Sequence, residues 1–332
     1  MFRKFLLHGL FIICLFFYST TTIFAQLKWQ NVDSLYQPLP KSLHVYFTNE
    51  SIDTSKFRAF YVEADLKDEN INFTTDTTFK RRLTPLEFYQ KNDQPILVVN
   101  GTFFSFETNQ NLNVVIKDGK IISHNSKIIK DPKDTARRLR AITGAIGINW
   151  KRKADVAWIK TDTANRYASA SQRSLNPIKT GNYYAVKQRR ATGERIVITK
   201  PVDDEPFRFW KMKTAIGGGP VLMQKGQIKI SNEEEQMFAG KAINDKHPRT
   251  AMRYTADNKL IILVVEGRNP NAGGATLTQE AQILKDLGCI EALNLDGGGS
   301  SCLLINGKET IYPSDKKQRA VPAVFIIQNK IK

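Results

Sequence analysis

Cysteine and histidine are scarce in this chain, with three and four residues among 332. One cysteine, Cys14, sits in the N-terminal apolar run, so only Cys289 and Cys302 remain for the body of the protein, which excludes a disulfide-built scaffold. A bridge between those two is geometrically conceivable, and two small buried thiols on neighbouring strands is the preferred reading. No Cys/His spacing suits a zinc site, and His44, His124 and His247 have no local nucleophile or ligand partner. That argues against metal–histidine and Ser-His-Asp chemistry. Internal repeats are absent. The longest apolar run, Phe5–Tyr18, is shorter than the ~20 residues that span a bilayer.

That run does fit an export signal. Met1-Phe2-Arg3-Lys4 supplies the positive start, and Ile23-Phe24-Ala25-Gln26 supplies a small-residue exit, so residues 1–25 read as a signal peptide cleaved near Ala25. Ile13 stands where lipidation of Cys14 would want a small residue. The expected location is secreted or periplasmic, with no transmembrane segment after cleavage. Of the 49 basic residues, Arg3 and Lys4 would leave with the leader, so 47 face 32 acidic ones, a net charge of +15. Such a balance favours anionic partners. The basic residues are scattered, however, and no nucleic-acid motif accompanies them, so no nucleic-acid partner is expected. The sequence leaves the oligomeric state open.

About 300 residues can bury a large core. Residues 26–94 read as an N-terminal lead or accessory subdomain, or as part of the same core, with a short apolar stretch at Leu43–Phe47 and strand composition at Phe57–Glu63. Thr84-Pro85-Leu86-Glu87 is a capping box with proline at the first helical position, predicting a helix to about Asn92. The uniformly apolar Pro95–Val99 is a buried strand that delivers Asn100-Gly101-Thr102-Phe103-Phe104 at its end. Val114–Ile116 and Lys120–Ile122 form a hairpin through Asp118-Gly119. Further strands are expected at Ile142–Asn149, Val156–Lys160, Tyr183–Lys187 and Arg195–Ile198, with irregular insertions at 161–181 and 200–213. Strand signals then recur at Thr214–Leu222, Arg249–Tyr254 and Leu260–Glu266. Thr276 opens a helix, with Gln279 three residues on and Gly288 at its end. Many hairpin-linked strands and few helices predict an α+β fold with a mixed, largely antiparallel sheet.

The last strand runs into Asn294-Leu295-Asp296-Gly297-Gly298-Gly299-Ser300-Ser301. In isolation this is either a loose β-turn or an anion cradle, because glycines let backbone N–H groups approach an anion while Asp296 can do acid, base or nucleophile chemistry. Three more polar or glycine-bearing segments fall at strand ends: Asn100–Phe104, Gly217-Gly218-Gly219-Pro220, and His247-Pro248-Arg249-Thr250-Ala251. Together and in this order they resemble the phosphodiester glycosidase domain family, over about residues 95–330. Leu277-Thr278-Gln279-Glu280, Asn306-Gly307 and Tyr312–Asp315 extend the resemblance. Thr102 departs from it, standing where the family more often has a second glycine, and the stretch from about 150 to 213 matches poorly.

The resemblance implies hydrolysis of a sugar-1-phosphodiester on the sugar side, releasing free sugar and a phosphomonoester from a phosphorylated glycan or envelope polymer. Phosphate leaves as a stable anion, so electrostatic stabilisation should outweigh general-acid help. The expected catalytic carboxylates are Asp296 and Glu280, with Glu266 in reserve. Arg249 is the first candidate phosphate ligand, then Arg268 and Arg319. Ser300, Ser301 and the N–H groups of Gly298 and Gly299 would complete the cradle, and Asn100 would hydrogen-bond sugar or phosphate unless it caps its own turn. One of Phe103 and Phe104 could face the sugar. No cofactor follows, though a Ca²⁺ or Mg²⁺ sharing these oxygens is left open. The alternative function is a non-catalytic binding module for anionic glycans.

Overall fold

The computed structural model describes residues 26–130, 138–175 and 207–330. The leader lies outside these residues, as do the strands expected at Tyr183–Lys187 and Arg195–Ile198. Three antiparallel sheets share one interior. The first has eight strands, ordered β1 (Gln30–Asn31), β2 (Leu43–Thr48), β3 (Ala59–Asp65), β18 (Lys259–Val265), β17 (Arg249–Thr255), β19 (Cys289–Asn294), β15 (Val221–Gln224) and β16 (Gln227–Ile228). The second has seven, ordered β13 (Arg208–Trp210), β12 (Ala168–Ser171), β11 (Ala154–Lys160), β10 (Thr143–Asn149), β14 (Met212–Gly217), β6 (Val115–Lys117) and β7 (Lys120–Ser123). The third has five, ordered β21 (Lys308–Glu309), β20 (Leu303–Ile305), β5 (Leu97–Asn100), β22 (Ala323–Asn329) and β4 (Ile71–Thr77). A separate ribbon pairs β8 (Ile128–Lys130) with β9 (Arg138–Arg140).

The α+β expectation holds, and among the described residues every strand pair is antiparallel rather than mixed. Residues 26–94 are woven into the common sheets: β3 pairs with β18 over seven residues from Lys259↔Asp65 to Val265↔Ala59, and β4 pairs with β22 along its whole length. The supposed insertions also carry strands. β12 pairs Trp158↔Ser171 on β11, and β13 continues from it. Ala168-Ser169-Ala170-Ser171 has almost no strand propensity, so the neighbouring edge, not local preference, makes it extended.

Both predicted helix starts are present. Thr84 caps Pro85–Lys91 and Thr276 caps Leu277–Asp286, each in a reciprocal capping box, with Glu87 and Gln279 respectively. The second helix packs Leu277, Ala281 and Leu284 against the eight-stranded sheet and gives way at Gly288, whose φ of 77° suits glycine. A larger cluster, including Val62, Leu97, Ile146, Ile216, Ile262, Leu293 and Phe325, draws side chains from all three sheets.

The glycine motifs are the crossings between sheets. Gly217–Pro220 carries the chain from β14 to β15, and Asp296–Cys302 carries it from β19 to β20, so Cys289 and Cys302 are not on neighbouring strands. Both are buried free thiols. Backbones meet closely at these crossings. A Cβ on Gly218 would lie 2.4 Å from the Asn294 carbonyl oxygen and 2.9 Å from Leu295 Cδ2. Since backbone cannot swing aside, Gly218→Ala should destabilise the fold by about 1–3 kcal/mol, read as a lowered urea midpoint at unchanged slope.

Candidate active site

Four strand ends converge at the Asp296 turn. The Asp296 N–H donates to the Gly101 carbonyl beyond β5 (2.9 Å), Leu295 N–H donates to Thr250 on β17 (2.7 Å), and Gly298 N–H donates to Pro248 (2.8 Å). Gly298 takes φ 63° and Gly298–Ser300 form one 3-10 turn. Asn100, wholly buried, organises this junction. Its Nδ2 donates to the Asp296 carbonyl (2.5 Å), and its Oδ1 accepts from Thr250 Oγ1 and from Cys302 N–H (3.0 Å each).

These bonds bear on three candidates. Asn100 caps its own turn, the second of the two readings open for it, with its carbonyl oxygen accepting two bonds. The Gly298 N–H is committed to Pro248 and does not line a cradle. Ser301 is buried with its hydroxyl 3.2 Å from Thr250 Oγ1, so it too lies within the junction. The shared reason is that a chain turning between two sheets must satisfy its own backbone first.

The remaining residues form two adjoining groups. In the first, the Asp296 carboxyl lies with Ser300, Gly299, Arg319 and Asp315. Arg319 donates through Nε (2.9 Å) and Nη2 (2.6 Å) to Asp315 Oδ2, and through Nη1 to Ser300 Oγ (3.4 Å). Gly299 makes room for this pair, since a Cβ there would fall 2.0 Å from Arg319 Nη2 and 2.3 Å from Asp315 Oδ2. Asp296 is set among close-packed atoms yet keeps part of its surface open. That desolvation pushes its pKa up to about 7, against the opposing pull of the Ser300 hydroxyl, the Arg319 charge and the Gly297 N–H.

The second group holds Arg249, Glu280, Arg268 and His247. Arg249 is only 3% exposed and donates to the carbonyls of Ala275 (Nε, 2.9 Å) and Asp245 (Nη2, 3.2 Å), leaving N–H groups uncommitted. Glu280, in the first turn of helix Leu277–Asp286, is 0% exposed, and neither carboxylate oxygen has a hydrogen-bond partner. Burial raises its pKa to about 8 although Arg249 pulls it down. Burial also lowers the pKa of Arg249, and the pair makes no ion pair within 4 Å among the described residues. Glu280 is therefore an acid held neutral near pH 7. Exposed Arg268 reaches His247 Nδ1 (3.1 Å), and its guanidinium borders Gly298, where a Cβ would stand 3.2 Å from Nη1. This joins the two groups. Burial, with Arg249 and Arg268 beside it, lowers the His247 pKa, so His247 is neutral and accepts from Arg268.

Glu266, the reserve carboxylate, is engaged elsewhere: it pairs with Arg58 (3.2 Å) and accepts from Asn269 Nδ2 (3.0 Å) and Tyr312 N–H (2.9 Å). Among the aromatics, Phe104 is buried and Phe103 is half-buried against Phe238, whose ring lies 6.0 Å from the Arg249 guanidinium. Phe106, unremarked in the sequence, is 65% exposed with the guanidinium groups of Arg82 and Arg319 each 5.4 Å from its ring centre. Glu235 was also missed. Wholly buried, it accepts from the N–H groups of Gly144 and Val221 (2.7 Å each), Ser231 Oγ (2.6 Å) and Trp158 Nε1 (3.0 Å), tying β10 and β11 to the start of β15. It lies in the run Glu233-Glu234-Glu235, which reads as a solvated face. No group of three metal-ligating side chains occurs among the described residues.

A partly buried carboxyl in a glycine turn thus lies between arginines at the junction of antiparallel sheets. The phosphodiester glycosidase family profile matches residues 93–328, and the chain belongs to that family. It is 31% identical over 104 residues to mouse N-acetylglucosamine-1-phosphodiester alpha-N-acetylglucosaminidase, and 40% identical over 86 residues to the SPbeta prophage-derived uncharacterized protein YomE of Bacillus subtilis (strain 168). These matches cover 31% and 26% of this chain, and span only 20% and 13% of those relatives' lengths. In fold it is similar to the zebrafish N-acetylglucosamine-1-phosphodiester alpha-N-acetylglucosaminidase catalytic domain auto-inhibited by pro-peptide, with TM-score 0.56 and 21% identity over 92% of this chain and 89% of that one. A hypothetical protein from Synechocystis gives TM-score 0.63 at 15% identity, over 91% of this chain and 64% of that one. No helix among the described residues is long and apolar enough to cross a membrane.

Proposed function

We propose that this protein is an exported hydrolase that cleaves sugar-1-phosphodiesters on the sugar side, within a phosphorylated glycan or envelope polymer. The observation that carries this reading is the Asp296 carboxyl, poised to titrate near pH 7 beside the Ser300 hydroxyl and the Arg319 guanidinium. Water adds to the anomeric carbon, the bond from that carbon to the phosphate oxygen breaks, and its electron pair leaves with the phosphomonoester. Asp296 serves the anomeric carbon as its carboxylate. Arg319, with Arg268 across Gly298, meets the charge that grows on the leaving phosphate. Glu280, wholly buried and held neutral, adds no second anion near Arg249 that would repel phosphate. The similarity to enzymes named for N-acetylglucosamine-1-phosphodiesters supports N-acetylglucosamine as the first sugar to try.

The test is incubation with a panel of sugar-1-phosphodiesters, N-acetylglucosamine-1-phospho-mannose among them, scoring free reducing sugar. Turnover of at least one member is expected. Binding of glycan phosphates without turnover of any would instead establish the binding-module reading.

A further inference from the structure

A second site is built where β4, β10 and β14 meet the end of β22, from residues that take no part in the candidate active site. A surface cavity of about 240 Å³ is lined by Asn72, Trp150, Arg152, Lys213, Thr214 and Lys330, among others. Trp150 is 63% exposed, an uncommon position for the largest aromatic side chain. Its ring rests over Gly119, where a Cβ would come within 3.3 Å of Cζ2, and the Lys213 ammonium lies 5.8 Å from the ring centre. The indole is thus held in place while most of its surface stays open.

The cations around it are held as well. Lys213 Nζ donates to Asn72 Oδ1 (2.6 Å), which uses one of its three donors. Arg152 is fixed by the carbonyls of Leu66, Asp68 and Ile71. Lys213 and Lys330 form no ion pair among the described residues. The nearby acids are Glu69, which lines the cavity, Asp118, whose charge reaches Lys213, and Asp65 and Asp68, whose charges reach Arg152. Burial lowers the Lys213 pKa, opposed by the charge of Asp118 and helped to a smaller extent by Arg152 and Lys330. Thr214 also lines the cavity, is 1% exposed, and its Oγ1 has no hydrogen-bond partner. A buried hydroxyl without a partner and an exposed indole both cost free energy in the empty protein, and a ligand with an apolar face, an acceptor and a negative charge would relieve both.

We propose that this cavity is a binding site for an acidic saccharide, a sugar ring bearing a phosphate or carboxylate, with the ring against Trp150 and the anion held by Lys213 and Lys330. The site binds without reacting, and it stands whether or not the proposed hydrolysis is correct. The test is calorimetric titration of the full chain with glucose 6-phosphate and with glucuronate, using glucose and inorganic phosphate as single-part probes. At least one acidic sugar should bind at least tenfold more tightly than either single-part probe. Trp150→Ala and Lys213→Gln should each weaken that binding about tenfold or more with melting temperature unchanged, Trp150→Phe should retain part of it, and Asp296→Asn should bind as the parent does. Preference for glucose 6-phosphate or for glucuronate identifies the anion. No binding of either at millimolar concentration would overturn the proposal. So would affinity matched by phosphate alone, affinity unmoved by both cavity variants, or affinity lost in Asp296→Asn.

Discussion

Replacing Asp296 by asparagine will lower turnover of a sugar-1-phosphodiester by roughly 10²- to 10⁴-fold, the range expected when a positioned acid–base or nucleophilic carboxylate is lost, while the fold persists. Persistence follows from the surroundings: asparagine keeps the shape, its Oδ1 can still accept from Ser300, and the backbone bonds of residue 296 to Gly101 and Asn100 are untouched. In the parent protein, kcat/KM for the proposed hydrolysis should rise as Asp296 ionises and level off above its pKa of about 7. The checks are free reducing sugar against pH, and circular dichroism with a thermal melt. A folded Asp296→Asn protein with parental kcat would remove this residue from the chemistry.

Glu280→Gln should markedly flatten the pH dependence of stability. In the folded chain this carboxyl has its pKa raised to about 8, against an ordinary value of 4.5. Between those values the folded state therefore holds a proton that the unfolded state has released. Its stabilising effect is fully present below the unfolded pKa and is lost as pH rises towards 8, with a slope approaching about 1.4 kcal/mol per pH unit. Arg249 moderates the upper end of that window by attracting the carboxylate once it forms. Glutamine stays neutral and keeps the volume, so urea midpoints of the variant should decline less between pH 5 and pH 8. Asp296 contributes a loss of the same sign between 3.8 and about 7, and the burial-raised carboxyls of Glu235, Glu291 and Asp155 act in the same direction, so some slope remains in the variant. Parallel curves for parent and Glu280→Gln would show that Glu280 is already ionised when folded. A companion Glu280→Ala variant, which leaves a cavity in the buried site, should be less stable than Glu280→Gln at every pH.

Much of the scaffold was legible because its signals are local. The Thr84 and Thr276 capping boxes, the Asp118-Gly119 turn and the apolar run before Asn100 each depend on neighbours within a few residues, and each is present. The Ala168–Ser171 strand was not legible, because only the edge of β11 makes it extended. Glu235 was hidden for a similar reason. Its four donors come from residues 144, 158, 221 and 231, and nothing in the local run Glu233–Glu235 separates the buried carboxylate from its two solvated-looking neighbours.

The candidate site divides along the same line. The order of polar motifs at strand ends was sufficient for the family and named Asp296, Glu280, Arg249, Arg268 and Arg319 as candidates, since side-chain type and spacing are properties of the chain itself. Which of those groups remain free for a ligand was decided only when three sheets closed on one another. The close crossing of β19 into β20 required Asn100, Ser301 and the Gly298 N–H for its own backbone, and the same burial raised the pKa values of Asp296 and Glu280. Hydrogen-bond commitment and desolvation depend on distances between segments as much as 200 residues apart, such as Asn100 and Cys302, and no local pattern encodes those distances.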